Sequence, residues 1–168
     1  QQAGSTGAKI AAIEVEFDSF QPVSDEYVAG FIQLREGMEL DTALIDQSIR
    51  ALYGTGHFEN VKVDVDEAQG GEVKLSFLLD PKYTIGQILF EGNEGISDRR
   101  LSNKAEMETR TSLDEYEVKE AADQLTEYYV EKGYADAEVE YRIERDKATG
   151  YATGTFEVVE QGKVQIKK

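Results

Sequence analysis

Residues Ile45–Val65, IDQSIRALYGTGHFENVKVDV, hold a helix, its stop signal and a strand in one run. Ile45, Ile49, Leu52 and Tyr53 fall at i, i+4, i+7 and i+8, which lines one helical face. Gly54 and Gly56 follow where a helix C-terminus favours a positive φ. Val61, Val63 and Val65 then alternate with Lys62, Asp64 and Asp66, the period of a strand with one buried face.

The same run is written twice. Leu125, Tyr128 and Tyr129 repeat the spacing of Ile49, Leu52 and Tyr53, Gly133 repeats Gly56, and Val139, Tyr141 and Ile143 repeat the alternation. The offset of about 75 to 77 residues is that of a small domain and not of a solenoid repeat. Two copies of one α+β unit are therefore expected.

Outward from this run, Ile13, Val15 and Phe17 alternate with Glu14 and Glu16 as a first strand. Ser24 caps a short helix carrying Val28, Phe31 and Ile32 and ending at Gly37, and Asp41 caps the helix that runs to Tyr53. A turn at Gln69-Gly70-Gly71 leads to a strand with Val73, Leu75, Phe77 and Leu79 inward. The order is βααββ. In the second copy Ile85, Ile88 and Phe90 make the first strand. Ser97 and Asp114 cap two helices, and strands around Val139–Ile143 and Thr155–Val159 close the unit. The pairs Val23/Val28, Leu40/Ile45, Ile96/Leu101 and Leu113/Val118 flank the four caps as hydrophobic staples. The expected division is a flexible tail over 1–8, a unit over 9–81, a second over 82–161, and the start of a third over 162–168. Asp80, Pro81, Lys82 and Tyr83 form a short linker stiffened by proline.

Composition narrows the function. Of 168 residues, 40% are hydrophobic, enough for packed cores. The net charge of -16 argues against nucleic acid and against basic-patch binding to membrane surfaces. There is no cysteine, so neither disulfide nor thiol chemistry is available. No apolar run is long enough to span a membrane as a helix. His57, the single histidine, reads as a loop residue packing near Phe58. Asp64-Val65-Asp66-Glu67 lacks the glycine-centred loop of a calcium site and reads as a solvated acidic face. Gly54-Thr55-Gly56 follows a helix and cannot offer phosphate a helix N-terminus. No cofactor, metal site or catalytic constellation is expected, and the chain does not read as an enzyme.

The βααββ order, Tyr53, Gly56 and Phe58 after the helix, and Tyr129, Gly133 and Tyr134 in the second copy resemble POTRA domains. The resemblance runs from Lys9 to about Gln161 and includes IRALYGTGHFENVKV and YTIGQILFEGN. It implies a three-stranded mixed sheet covered by two helices, with the last strand central and the second strand at an open edge. It also implies the periplasmic arm of an outer-membrane protein. That arm would dock unfolded outer-membrane protein segments, accessory lipoproteins and periplasmic chaperones, with no membrane span in this stretch.

An open edge is a template for an added strand. The candidate docking residues are therefore Asn60, Val61, Lys62, Val63, Asp64 and Val65, with Ala137, Glu138, Val139, Glu140, Tyr141 and Arg142 in the second copy. Charges on Lys62, Asp64, Glu138, Glu140 and Arg142 would limit uncontrolled edge pairing. Alternation alone leaves open which phase of each strand faces outward. The alternatives are the same arm on a two-partner secretion pore or a TamA-type barrel, a small carbohydrate-active or hydrolytic αβ enzyme, and a plain spacer.

Overall fold

The computed structural model describes residues 5–163, with side chains from residue 7 onward. The chain forms two compact units, Gln1–Lys82 and Tyr83–Lys168. The first contains β1 (Ser5–Phe17), α1 (Asp25–Ala29), β2 (Glu39–Asp41), α2 (Thr42–Gly54), β3 (Phe58–Glu67) and β4 (Val73–Pro81). The second contains β5 (Thr84–Glu91), α3 (Asp98–Ala105), α4 (Glu115–Glu131), β6 (Glu138–Arg145) and β7 (Tyr151–Val159).

The first sheet has the order β2-β1-β4-β3 and the second β5-β7-β6. In the first sheet β4 lies between β1, to which it is parallel, and β3, to which it is antiparallel; in the second β7 lies between β5 and β6 in the same way. The central strands carry much of the buried apolar surface. Phe77 and Phe156 are fully buried, as are Leu75 and Leu79 beside Phe77. Each such side chain contributes about 1.5–3 kcal/mol by leaving water. The helices close the cores with Val28, Ile45 and Leu52 in the first unit and Leu101, Val118, Leu125 and Tyr129 in the second.

Local chemistry sets the helix starts. Ser24 Oγ accepts the Tyr27 N–H, Asp41 accepts those of Ala43 and Leu44, and Asp114 accepts that of Tyr116. Ser97 occupies the N-cap of α3, but its side chain accepts no hydrogen bond there. All four staple pairs sit in or against the two cores.

Several boundaries differ from the sequence reading. The first sheet has four strands, because Glu39–Asp41 pairs antiparallel with the start of β1. Three residues are too few for period 2 to register. α1 ends at Ala29 with Gly30 as its C-cap, well before Gly37, whose φ of 86° instead serves a turn against β1. β1 begins at Ser5, so part of the expected tail is strand. Residues 1–4 and 164–168, the rest of that tail and most of the expected third unit, lie outside the described residues. Asp80 and Pro81 complete β4, opposite Asn60 and Phe58, which leaves Lys82 and Tyr83 between the sheets' strands. Gly54 belongs to α2, and it is Gly56 that turns the chain, with φ 78°. Gly133 does so in the second unit with φ 94°. Counted back from these glycines, fully buried Tyr129 is the counterpart of Leu52 and not of Tyr53, which is 42% exposed.

Each first strand carries an irregularity at the same place. Ile10 bonds outward, to Met38 O and from Gly37 N–H at 2.8 Å each, and the register with β4 shifts before Ala12. Ile85 likewise bonds to Thr111 O at 2.8 Å and accepts from Arg110 N–H at 2.7 Å, and the register with β7 shifts before Gln87. One extra residue at a bulge redirects the alternation.

Two glycines separate backbone strain from steric clash. A Cβ on Gly56 would meet nothing within 4 Å, so Gly56→Ala is expected to cost about 1 kcal/mol, the strain of a positive φ alone. A Cβ on Gly92 would lie 2.1 Å from Val158 O, so Gly92→Ala is expected to lower the melting temperature clearly more. Equal melting temperatures for the two variants would contradict this ordering. Fragments 1–82 and 83–168 are each expected to melt cooperatively, as scanning calorimetry would show; a fragment without a transition would contradict two self-sufficient cores.

Candidate docking edges

Among the described residues β3 pairs only with β4 and β6 only with β7, so each is a sheet edge. The hydrogen bonds also fix which residues face outward. Asp18 N–H donates to Leu79 O at 2.9 Å, so Leu79 points its backbone toward β1. In an antiparallel ladder its opposite number, Val61, then faces away from β4, as do Val63 and Val65. Asn60, Lys62 and Asp64 bond inward. At the far hairpin Asp146 N–H donates to Tyr151 O at 2.9 Å, and the same counting turns Val139, Tyr141 and Ile143 outward.

The outward residues also direct their side chains to the helical face. Val61 and Val139 are buried, while Val63, Tyr141 and Ile143 are partly buried against the cores. Val65 is 45% exposed. The open face carries the charges. Lys62 Nζ lies 3.4 Å from Asp64, and Lys74 lies 2.7 Å from Glu14. The Lys74 pKa is raised, chiefly by the Glu14 carboxylate that accepts its hydrogen bond. Arg142 reaches Glu144 at 3.1 Å, Glu91 at 3.9 Å and, in closer contact, Glu157. Such exposed pairs contribute under about 1 kcal/mol each, so they add little to stability. Tyr141 Oη donates to Glu115 Oε1 at 3.3 Å, and its pKa is raised by desolvation and then by that carboxylate. Ala137 stands outside the docking strand. It precedes β6, is buried, and donates its N–H to Tyr134 O at 3.2 Å.

The motif residues brace the approach to each edge. Phe58 is buried, with His57 at 6.3 Å between rings, and the His57 ring also meets Tyr27 edge-on at 5.7 Å. Tyr134 stands edge-on to Tyr129 at 5.3 Å. Glu160, just past β7, accepts the Tyr129 hydroxyl at 2.9 Å and the Gly95 N–H at 2.9 Å. Sequence reasoning missed this clamp because its members are far apart in the chain. It also missed two hydroxyl contacts to the edges: Tyr53 Oη accepts the Val61 N–H at 3.0 Å, and Thr126 Oγ1 accepts the Val139 N–H at 3.2 Å. On the opposite side of each sheet, residues 37–41 cover the start of β1 and residues 110–112 the start of β5. No helix among the described residues is long and apolar enough to cross a membrane, which leaves β-barrel spans unaddressed. Among the described residues no group of three or more His, Asp or Glu side chains could hold a metal ion.

Two mixed sheets, each with two helices on one face and the last strand central, place the chain in a definite family. It belongs to the POTRA family, described as surface antigen variable number repeat, whose model matches residues 9–82 and again 83–161. Among curated proteins it is similar to the outer membrane protein assembly factor BamA of Nitratidesulfovibrio vulgaris, with 25% identity over 166 residues. That match takes in 99% of this chain but 21% of the relative, so the chain spans about a fifth of that protein's length. Among solved structures, the N-terminal domain of Omp85 from Thermosynechococcus elongatus aligns at 20% identity and TM-score 0.49, over 91% of this chain and 63% of that one. POTRA1-2 of the periplasmic domain of Omp85 from Anabaena aligns at 20% identity and TM-score 0.47, over 94% and 97%.

Burial, and then the bond to Glu160, push the Tyr129 pKa well above its usual value of about 10. The folded state thus favours the neutral phenol. Its contribution is complete below the unfolded pKa and is lost as pH rises through and beyond about 10. The melting temperature is expected to fall over this range, and less steeply in Tyr129→Phe. Identical slopes would contradict the assignment.

Proposed function

We propose that this chain is part of the periplasmic arm of an outer-membrane protein assembly factor, and that it docks unfolded outer-membrane protein segments by adding them as strands to β3 and β6. The observation that carries the reading is the outward row of backbone groups on Val63, Val65, Tyr141 and Ile143, which face no strand among the described residues. Backbone pairing is nearly indifferent to side-chain identity, which suits clients that share only an alternation of apolar and polar residues. Apolar side chains of an added strand would lie beside Val63 and Val65, or Tyr141 and Ile143. Its polar ones would lie beside Lys62, Asp64 and Arg142. Family membership and similarity to BamA support the assembly role. Accessory lipoproteins and periplasmic chaperones are further partners on this reading. The same arm on a secretion pore of the two-partner type would use the edges in the same way.

Proline at an outward amide blocks strand addition without removing an internal ladder bond, whereas proline at an inward amide breaks the sheet. Val65→Pro and Ile143→Pro are therefore expected to fold, and the double variant to lose binding of an unfolded outer-membrane segment. Asp64→Pro and Arg142→Pro are expected to unfold their units. Circular dichroism and titration of the labelled segment check both. A folded Val65→Pro/Ile143→Pro chain that binds with unchanged affinity would refute augmentation at these strands.

A further inference from the structure

On each edge strand one outward amide is taken, and it is the same one. Val61 lies opposite Leu79, and Val139 opposite Val158, two residues before the strand residues that face Phe77 and Phe156. The Val61 N–H donates to Tyr53 Oη at 3.0 Å, and that hydroxyl donates to Asn60 Oδ1 at 3.0 Å. The Val139 N–H donates to Thr126 Oγ1 at 3.2 Å, and that hydroxyl donates to Ala122 O at 3.0 Å. Each hydroxyl therefore has its proton engaged elsewhere and its acceptor face used by the edge amide.

The two hydroxyls are not copies of each other. Tyr53 stands three residues before Gly56, whereas Thr126 stands seven before Gly133, more than a turn inside α4. A phenol at the end of α2 and a β-hydroxyl inside α4 reach equivalent backbone atoms by different routes. What the units share is the capped position and not the residue that caps it. Among the described residues, Val63, Val65, Tyr141 and Ile143 have no such cap.

An added strand needs the edge's N–H and C=O groups in alternation. At Val61 and Val139 the N–H is already bonded, so a strand extending there would gain a carbonyl contact and lose its partner donor. In the first unit the Tyr53 ring, 42% exposed, also stands beside that end. We propose that Tyr53 and Thr126 are register stops that end a docked strand. The open edge is then 63–67 in the first unit and 141–145 in the second, five residues in each given that β3 ends at Glu67 and β6 at Arg145. The ligand is an extended five-residue stretch, apolar where it flanks Val63 and Val65 or Tyr141 and Ile143, and fixed in register without any side-chain pocket. This rests on the reading that segments add to β3 and β6, and it specifies where they stop.

Amide hydrogen exchange of the isotope-labelled chain tests it. The probe is a peptide alternating valine and threonine between terminal lysines. In the wild type the peptide is expected to slow exchange at Val63, Val65, Tyr141 and Ile143 by about tenfold or more, and to leave Val61 and Val139, protected beforehand by their hydroxyls, unchanged. In Tyr53→Phe the Val61 amide is expected to exchange fast when the chain is free and slowly when peptide is bound, because the docked strand now runs on past Val63. Thr126→Val is expected to do the same at Val139. Both substitutions keep side-chain size and lie in different units, so each tests the inference alone. A variant whose bound peptide protects Val63 and Val65, or Tyr141 and Ile143, yet leaves the uncapped amide exchanging fast would overturn the register stop while leaving strand docking in place. A wild-type chain in which the peptide protects none of the four open amides would overturn the docking reading, and the stop with it.

Discussion

Backbone hydrogen bonding leaves the central strand of each unit fully committed. Residues of β4 such as Leu79 bond to β1, and those between them bond to β3. The same holds for β7 between β5 and β6. The last strand of the chain in each unit thus fills the middle of the sheet, and Phe77 and Phe156 anchor it in the core. β3 and β6 are then each held from one side only. The edges on β3 and β6 follow from this placement and need no special residue to create them.

On the proposed function, two things would keep such edges from uncontrolled pairing. Charges cover the open face, where Lys62, Asp64 and the Arg142 cluster lie. A helix hydroxyl occupies one outward amide in each unit. The first is a general feature of edge strands. The second depends on how α2 and α4 lie across the start of their strands, and it links the helical layer to whatever pairs with the sheet. The net charge of -16 gives the chain one dominant sign, which on the proposed function would favour clients with basic residues on their polar side.

Much of this was legible in the sequence because its signals are local. The valine alternation after Gly56, the doubled run after Gly133 and the cap–staple pairs each lie within one element or at one junction. They placed α2, α4, β3 and β6 to within a few residues. What stayed hidden depended on partners far along the chain. β2 exists only because β1 accepts it, and α1 stops at Gly30 although its apolar periodicity continues through Phe31 and Ile32. The equivalence of Tyr53 with Tyr129 failed for a related reason. The spacing of aromatics suggested it, but burial pairs Tyr129 with Leu52. The outward phase of the edges could not be read from alternation, since both phases alternate; one bond from Asp18 to Leu79 decides it for β3, and one from Asp146 to Tyr151 for β6.

The central claim is that backbone, and not a side-chain pocket, receives the client. Nuclear Overhauser contacts between the isotope-labelled chain and an unlabelled extended outer-membrane segment test it most directly. The account predicts contacts from the segment's backbone protons to the amide protons of Val63, Val65, Tyr141 and Ile143, in an alternating strand pattern. Contacts confined to side chains on the exposed faces of α2 and α4, with none to these amides, would contradict it.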